Sequence, residues 1–395
     1  MPAAAALIVG WARSAVVPYG GAFGQMEAHQ IARPVLQALL ARAGLSPGAV
    51  DALVVGNALG AGGNPARMLA LAADLPGQCA TYSVDTQCCS GLDAVTLAAS
   101  LLVSGQASVV VAGGVEAWSR SPLRQHRPRR PGEPALGFER PAFAPDPRRD
   151  PDMLVSAARY ALEAGWTREQ QDAYAVRSHL LARANHDGLA GEIVPVAEAS
   201  HDAGPRECSL PRVARMPAAV KAHDLGSGWA TLRAERPDCS MSPLGISGKA
   251  DGAAFVLLAS TSACAQLRLT PQAVWRASAG VGIAPETPLL AAEAAARAAM
   301  ARAGLRDTGA LSAVELHDAF AVQGLSFGRA LSLDPQRLNR RGGGLARGHP
   351  IGASGAVALV RLLADLACHG ASGDEGMAAV AGAGGVGTAA IVRRA

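Results

Sequence analysis

The sequence predicts an α/β protein built from two similar halves, and three observations carry that prediction. Residues 41–58 read ARAGLSPGAVDALVVGNA and residues 301–318 read ARAGLRDTGALSAVELHD, so the pentapeptide ARAGL recurs at an offset of 260. Runs such as DALVVGN (51–57) and ASVVVAGG (107–114) are continuous and β-branched. Strands with one wet face alternate, whereas strands buried on both faces read as unbroken apolar runs. Ala-rich segments stand between them, and strand alternating with helix is the pattern of α/β architecture.

The elements follow in order. MPAAAALIVGWARS (1–14) has no basic residue ahead of its short apolar run, so it reads as a first strand rather than a signal peptide. A helix ending in ARAGL leads to the strand DALVVGN. VDTQCCSGLDAV (84–95) carries two adjacent cysteines, and after them Leu92, Val95, Ala99 and Leu102 keep helical spacing. Cys88 therefore sits where a buried strand gives way to a helix. A helix start lowers a thiol pKa, typically to about 3.5–7.5. Residues 119–250 change texture. SRSPLRQHRPRRPGEPALGFERPAFAPDPRRDPDM is too rich in Pro and Arg for a sheet core. One helix follows, TREQQDAYAVRSHLLARAN, with Thr167 as N-cap and Gln170 three residues on. This region reads as an inserted, largely surface subdomain whose arginines form either a solvated face or a phosphate-binding rim.

The second half repeats the first. Shifting Asn57 by 260 lands on His317, and shifting Cys88 lands on Gly348, one residue before His349. VVVAGGVE (109–116) is echoed by VAGAGGVG (380–387) at an offset of 271. Duplication then sets the helix starts after Cys88 and His349 facing each other across a pseudo-dyad. The division expected is 1–118 with 251–270 as one half, 271–395 as the other, and 119–250 as the insert.

Composition narrows the function classes. The net charge of +4 is almost wholly arginine, since Lys221 and Lys249 are the only lysines, and its even spread argues against nucleic acid. Seven scattered cysteines without a CxxC pair argue against zinc ribbons and thioredoxin-like sites, and free thiols fit a reducing cytosol. No apolar stretch reads as the ~20 residues of a membrane helix, so a soluble, cytoplasmic protein is expected.

Three sites carry chemistry: CCSGLDA (88–94), ELHDAFA (315–321) and NRRGGGLARGHPIGASG (339–355). On these residues the chain resembles the thiolase family from end to end. CCSGLDA is similar to that family's C-x-S-G-(L/M)-x-A nucleophile motif, and residues 339–355 fit its N-x-x-G-G-…-G-H-P-x-G-x-S-G signature. ARSAVVPYGG (12–21), GGNPAR (62–67), AGGVEAWS (112–119), TREQQDAYAVRSHLLA (167–182) and SGKADGAA (247–254) are weaker echoes.

The resemblance implies a thiolase fold: duplicated βαβαβαββ halves in α-β-α-β-α layers, each with a five-stranded mixed sheet, and an inserted loop domain over coenzyme A. It implies acyl transfer from an acyl-CoA, with Cys88 as nucleophile and His349 taking its proton. One oxyanion hole would use His349 with a water near His317, the other the N–H groups of Cys88 and Ala383. Ser247 and, more loosely, Met153 match positions near the pantetheine. Cys89 stands where the family has a small packing residue. No metal and no redox cofactor is implied. Assembly as dimers or dimers of dimers is carried over. A further partner subunit stays open, since some members with His at position 317 work in β-oxidation complexes.

Two departures matter. His317-Asp318 replaces the Asn-Glu of many members. Ala381 occupies the position of the family's second cysteine, the acid/base for the α-carbon, and Ala319 the position where sterol-carrier-type members offer a cysteine instead. Losing a positioned acid/base costs roughly 10²–10⁴-fold in rate. Four readings follow: an introduced Cys-to-Ala exchange at 381 in an ordinary thiolase; a native Ala with His317 or a water moving the proton; decarboxylating condensation through Cys88, His317 and His349; or a CoA-binding scaffold with impaired catalysis.

Overall fold

The computed structural model describes residues 5–186 and 191–395. The first four residues of the N-terminal run lie outside them. The first half contains β1 (Ala6–Arg13), α1 (Ala28–Arg42), β2 (Ala52–Gly56), α2 (Pro65–Ala72), β3 (Ala80–Val84), α3 (Ser90–Val103) and β4 (Val109–Glu116). After α4 (Met153–Ala164) and α5 (Arg168–Ala184), the chain returns as β5 (Ala250–Ser260). The second half contains β6 (Ala273–Gly282), α6 (Ala291–Ala303), β7 (Leu311–His317), α7 (Ala321–Ala330), α8 (Ser354–His369), β8 (Glu375–Gly382) and β9 (Val386–Arg394).

Strand order displays the duplication. The first half runs β3-β2-β4-β5-β1, with β2 parallel to β3 and β4, and β5 antiparallel to β4 and β1. The second half runs β7-β8-β9-β6 with one parallel and two antiparallel pairings, the pattern of β2-β4-β5-β1. Only Leu7 with Val274 and Ile8 with Ala273 join β1 to β6. The expected five strands hold in the first half alone. The counterpart of β3 shrinks to a single parallel bridge between Leu338 and Val314, because the glycine-rich loop takes over there.

Pairing also corrects the 271 offset. Ala112 lies opposite Val54 and Met377 opposite Val314, so the equivalent strands differ by 265. Gly113 and Gly114 lie inside β4, whereas Gly384 and Gly385 form the turn after β8, with φ of 80° and 81°. The two Gly-Gly pairs look alike but serve different backbone needs, close packing in one and a left-handed turn in the other.

Alternation within each strand builds the layers. Leu53 and Val55 face α1 and α2, packing with Ile31, Val35, Leu39 and Leu69. Val54 faces the other way, onto α3 and α8, where Leu92, Val95 and Leu102 meet Leu359, Val360 and Leu363. The second sheet covers that same layer with Ala378 and Val380 and turns Leu316 and Ile391 toward α6 and α7. The order is thus α-β-α-β-α, with α3 and α8 packed on each other in the middle. Each fully buried Leu or Val contributes about 1.5–3 kcal/mol.

Three elements differ from expectation. Ile351–His369 is long and apolar enough for a membrane span, against the sequence reading. Its central position accounts for that: Ser354 through Leu366 are all buried, and a helix enclosed on every side is largely apolar, with Arg361 and Asp365 the charged exceptions here. β3 is a half-exposed edge strand, not a buried one. The insert holds two long helices rather than one. Asp152 caps α4, accepting from Leu154 N at 2.8 Å and Val155 N at 3.3 Å, and Gly165 ends it at φ 70°. α5 opens with the expected Thr167–Gln170 capping box. Arg140, Arg148 and Arg149 of the insert pair with Asp150, Asp146 and Glu286 on the surface.

Candidate active site

The turn from β3 into α3 is tied before Cys88 appears. Gln87 takes a left-handed φ of 58°. Ser90 Oγ donates to Gln87 O at 2.5 Å and accepts from Thr86 N at 3.0 Å. Asp93 in the first turn of α3 accepts from Thr86 Oγ1 at 2.5 Å and from Thr388 Oγ1 of β9 at 2.6 Å, fixing this helix start to the other half. Missing side chains then let the backbones close in. A Cβ on Gly56 would fall 2.4 Å from Ser90 C, and one on Gly114 would fall 2.1 Å from Gly352 O.

The second glycine loop is fastened to the end of β7. Asn339 Oδ1 accepts from Leu316 N at 2.8 Å and its Nδ2 donates to Leu316 O at 3.0 Å. Asp318 accepts from Leu345 N at 3.0 Å and from the Tyr174 hydroxyl at 2.8 Å. Gly344 must lack a Cβ, which would sit 2.4 Å from His317 Nδ1. His349 follows Gly348, whose φ is 112°, and donates its backbone N–H to Gly248 O at 2.8 Å.

These ties bring Cys88, His349 and His317 together. Cys88 Sγ lies 3.1 Å from His349 Nε2. His349 Nδ1 is hydrogen-bonded to His317 Nε2, with the two rings stacked at 4.4 Å, and lies 3.2 Å from Ser354 Oγ. Ser354 donates to Pro350 O at 3.0 Å, so its oxygen is free to accept. The tautomer suited to accepting a proton from Cys88 is the following. The thiol donates to Nε2, Nδ1–H faces Ser354 Oγ and His317 Nε2, and Nε2 stays ready to receive the thiol proton. Ser354 and Gly248 were given no role from sequence, although Ser354 stands inside the glycine-loop motif.

Burial governs the charges and corrects the lowered thiol pKa expected from a helix start. It pushes the Cys88 thiol up to about 12, against the opposing pull of the Ala383 and Cys88 N–H groups, and Glu116 and Asp85 add to the rise. Burial draws His349 down to about 4. His317 is held well below its ordinary value by burial, then by His349 and Arg347. All three shifts favour a neutral thiol beside neutral imidazoles. α3 begins only at Ser90, so Cys88 lies before the helix, where desolvation outweighs the dipole.

The remaining predicted residues are placed as follows. Ser247 donates its hydroxyl to Gly344 O at 2.7 Å, and its N–H goes to Ala319 O at 2.9 Å, so it borders the glycine loop. Met153, at the start of α4, is partly buried against the apolar cluster that α4 forms with Phe320 and Val322. Ala381 lies near the end of β8 opposite Gly387, half-buried. Cys89 is fully buried, its thiol 3.7 Å from Val380 O. Among the described residues no three or more His, Cys, Asp or Glu side chains gather as metal ligands.

Comparisons with known proteins bear on the family and the fold. Residues 6–262 match the thiolase N-terminal domain and residues 269–394 the thiolase C-terminal domain. An acetyl-CoA acetyltransferase of Chromobacterium violaceum is 34% identical over 402 residues, covering 98% of this chain and 99% of that protein. A probable acetyl-CoA acyltransferase of Staphylococcus aureus (strain COL) is 32% identical, covering 90% of this chain and 91% of that one. The crystal structure of the Bacillus anthracis acetyl-CoA acetyltransferase superposes with a TM-score of 0.87 at 29% identity, covering 99% of each chain. The Acat5 thiolase from Ascaris suum, in complex with coenzyme A, superposes with a TM-score of 0.86 at 27% identity, covering 99% of this chain and 100% of that one. With both domains matched over nearly its whole length, this chain belongs to the thiolase family.

Proposed function

We propose that this thiolase-type acyltransferase works through an acyl-enzyme on Cys88, forming or cleaving β-ketoacyl-CoA. The observation that carries the reading is the 3.1 Å contact between Cys88 Sγ and His349 Nε2. As Sγ attacks the thioester carbon, its proton passes along that contact to Nε2, so no thiolate need form before the attack. The carbonyl oxygen gains negative charge and receives the N–H groups of Cys88 and Ala383. The tetrahedral intermediate then collapses, and the departing CoA sulfur takes the proton back from Nε2. Acyl-CoA binds with its pantetheine along Ser247 and Met153. No metal or redox group has a step to perform in this transfer.

A second reading, decarboxylating condensation, is favoured by one observation. Neither Ala381 nor Ala319 can exchange a proton, whereas loss of CO₂ from a malonyl-type donor generates the carbanion without a base. The His317–His349 contact supplies the paired imidazoles such a step uses. We further propose a homodimer closed across the open edge of β3, a reading supported by the exposed Tyr82 on that strand and Met68 and Leu71 on α2.

Intact-mass measurement after acetyl-CoA, paired with CoA-dependent cleavage of acetoacetyl-CoA, tests the proposal. An acetyl group on Cys88 with rapid cleavage is the expected result. An adduct that persists without cleavage transfers the assignment to the decarboxylating reading. No adduct rejects Cys88 as the nucleophile.

A further inference from the structure

A small cavity that none of Cys88, His317 and His349 lines is walled by Arg13 at the end of β1, Arg341 and Arg347 in the second glycine loop, and Arg361 on α8. Asp202 is the one carboxylate lining it among the described residues, and the space suits a single water-sized occupant. We infer that a halide-sized monovalent anion binds in this arginine-walled cavity.

Partner accounting leads there. Asp202 Oδ1 accepts from Arg13 Nη1 at 2.6 Å and from Val16 N at 2.9 Å, and Oδ2 accepts from Arg13 Nη2 at 3.0 Å. Glu192 Oε1 accepts from Arg13 Nη2 at 2.5 Å and from Arg361 Nη1 at 2.7 Å. Asp365 is shared by Arg340 and Arg341. Among the described residues Arg347 has Glu315 alone as a carboxylate partner, at a long 3.5 Å. Five guanidiniums thus face four carboxylates in this cluster, among the described residues. Moreover, among the described residues Nε of Arg347 and Nε of Arg361 are buried without a partner, on two side chains that line the cavity. Glu192 Oε2 is unpartnered too, but Glu192 does not line the cavity.

The identity of the occupant follows from donor chemistry. A guanidinium only donates, so an occupant between Arg347 and Arg361 must accept. A water could place one proton on Asp202 Oδ2, which accepts a single bond, but it brings no charge to offset the surplus guanidinium. An anion has no protons to place and cancels the excess buried charge, which is costly unpaired. Two electrostatic shifts agree: burial and the neighbouring Arg361 draw Arg347 down to about 10, and burial pushes Glu315 up to about 7. Near neutrality Glu315 is therefore only partly ionised, and Arg347 is left short of a counter-charge.

The test compares thermal unfolding of the full chain in sodium chloride or bromide with sodium gluconate at equal ionic strength, gluconate being too large to enter. The midpoint should climb with the logarithm of halide concentration and stay level in gluconate. Glu315→Gln, which removes the competing carboxylate, should enlarge the halide response. Crystals soaked in bromide should show anomalous density between Arg347 and Arg361. Equal midpoints in halide and gluconate, or a cavity holding only water in bromide, would overturn the inference. The soaked wild-type crystals decide the matter if the variant fails to fold.

Discussion

At the scale of single residues, Ala381 sets the chemistry apart. In the proposed reaction the Cys88–His349 contact loads the acyl group, and the α-carbon of a second acyl-CoA would meet the Ala381 methyl group where a proton must move. Ala381→Cys should therefore raise acetoacetyl-CoA thiolysis by about 10²–10⁴-fold while leaving the first acylation unchanged, as single-turnover kinetics will reveal. An unchanged rate would mean that another group already moves that proton. The raised thiol pKa predicts a second behaviour. Because Cys88 loses its proton only as pH approaches about 12, alkylation of the empty enzyme by iodoacetamide should keep accelerating from pH 7 through 9. A plateau reached by pH 7 would instead indicate a preformed thiolate–imidazolium pair. Cys88 and His349 were legible because each stands at a fixed place in a glycine-rich motif. The direction of the thiol shift was not, since motif spacing says nothing of depth, and depth decides it here. Ser354 was visible as a letter but not as a partner, because its hydrogen bond to His349 exists only once residues 350–353 make their tight turn.

At the scale of elements, glycines set how closely the catalytic helices approach. Gly56→Ala would thrust a Cβ against Ser90 C at 2.4 Å, Gly91 N at 2.5 Å and Gly352 O at 2.7 Å, all of them backbone that cannot rotate away. The expected cost is about 1–3 kcal/mol or more, read as a lower urea midpoint, together with reduced acylation as Cys88 and His349 are pushed apart. Stability equal to the parent protein would show that the two halves can slide to absorb a methyl group. Strands β2 and β4 were readable as unbroken apolar runs because α1 lies on one face and α3 on the other. β3 was misread: its neighbours in sequence are buried, but it ends the sheet. The helix α4 escaped notice because its cap, Asp152, follows a run of Pro and Arg that obscured a helix start. α8 passes for a membrane segment by composition alone, and only its place between two sheets explains the apolarity.

At the scale of the molecule, the duplication seen in ARAGL proved a sound guide to topology, whereas the second echo, at 271, matched letters rather than positions. The open edge of β3 belongs to this scale as well. Light scattering should give a mass of two 40.0 kDa chains, and Tyr82→Lys, placing a charge on the edge strand, should shift it toward one. A monomeric parent protein would reject the β3 interface. A last consequence arises from where the insert lies. In the second half, β8 and β9 are joined by the three residues 383–385, but their counterparts β4 and β5 are separated by residues 117–249. β5 is the strand that both β1 and β4 need as a neighbour. During translation at ~5–20 residues per second, those two strands wait on the order of ten seconds for it. The N-terminal half thus spends that interval with two apolar edges unpaired, and the ribosome-bound chain is the form of this protein most exposed to aggregation.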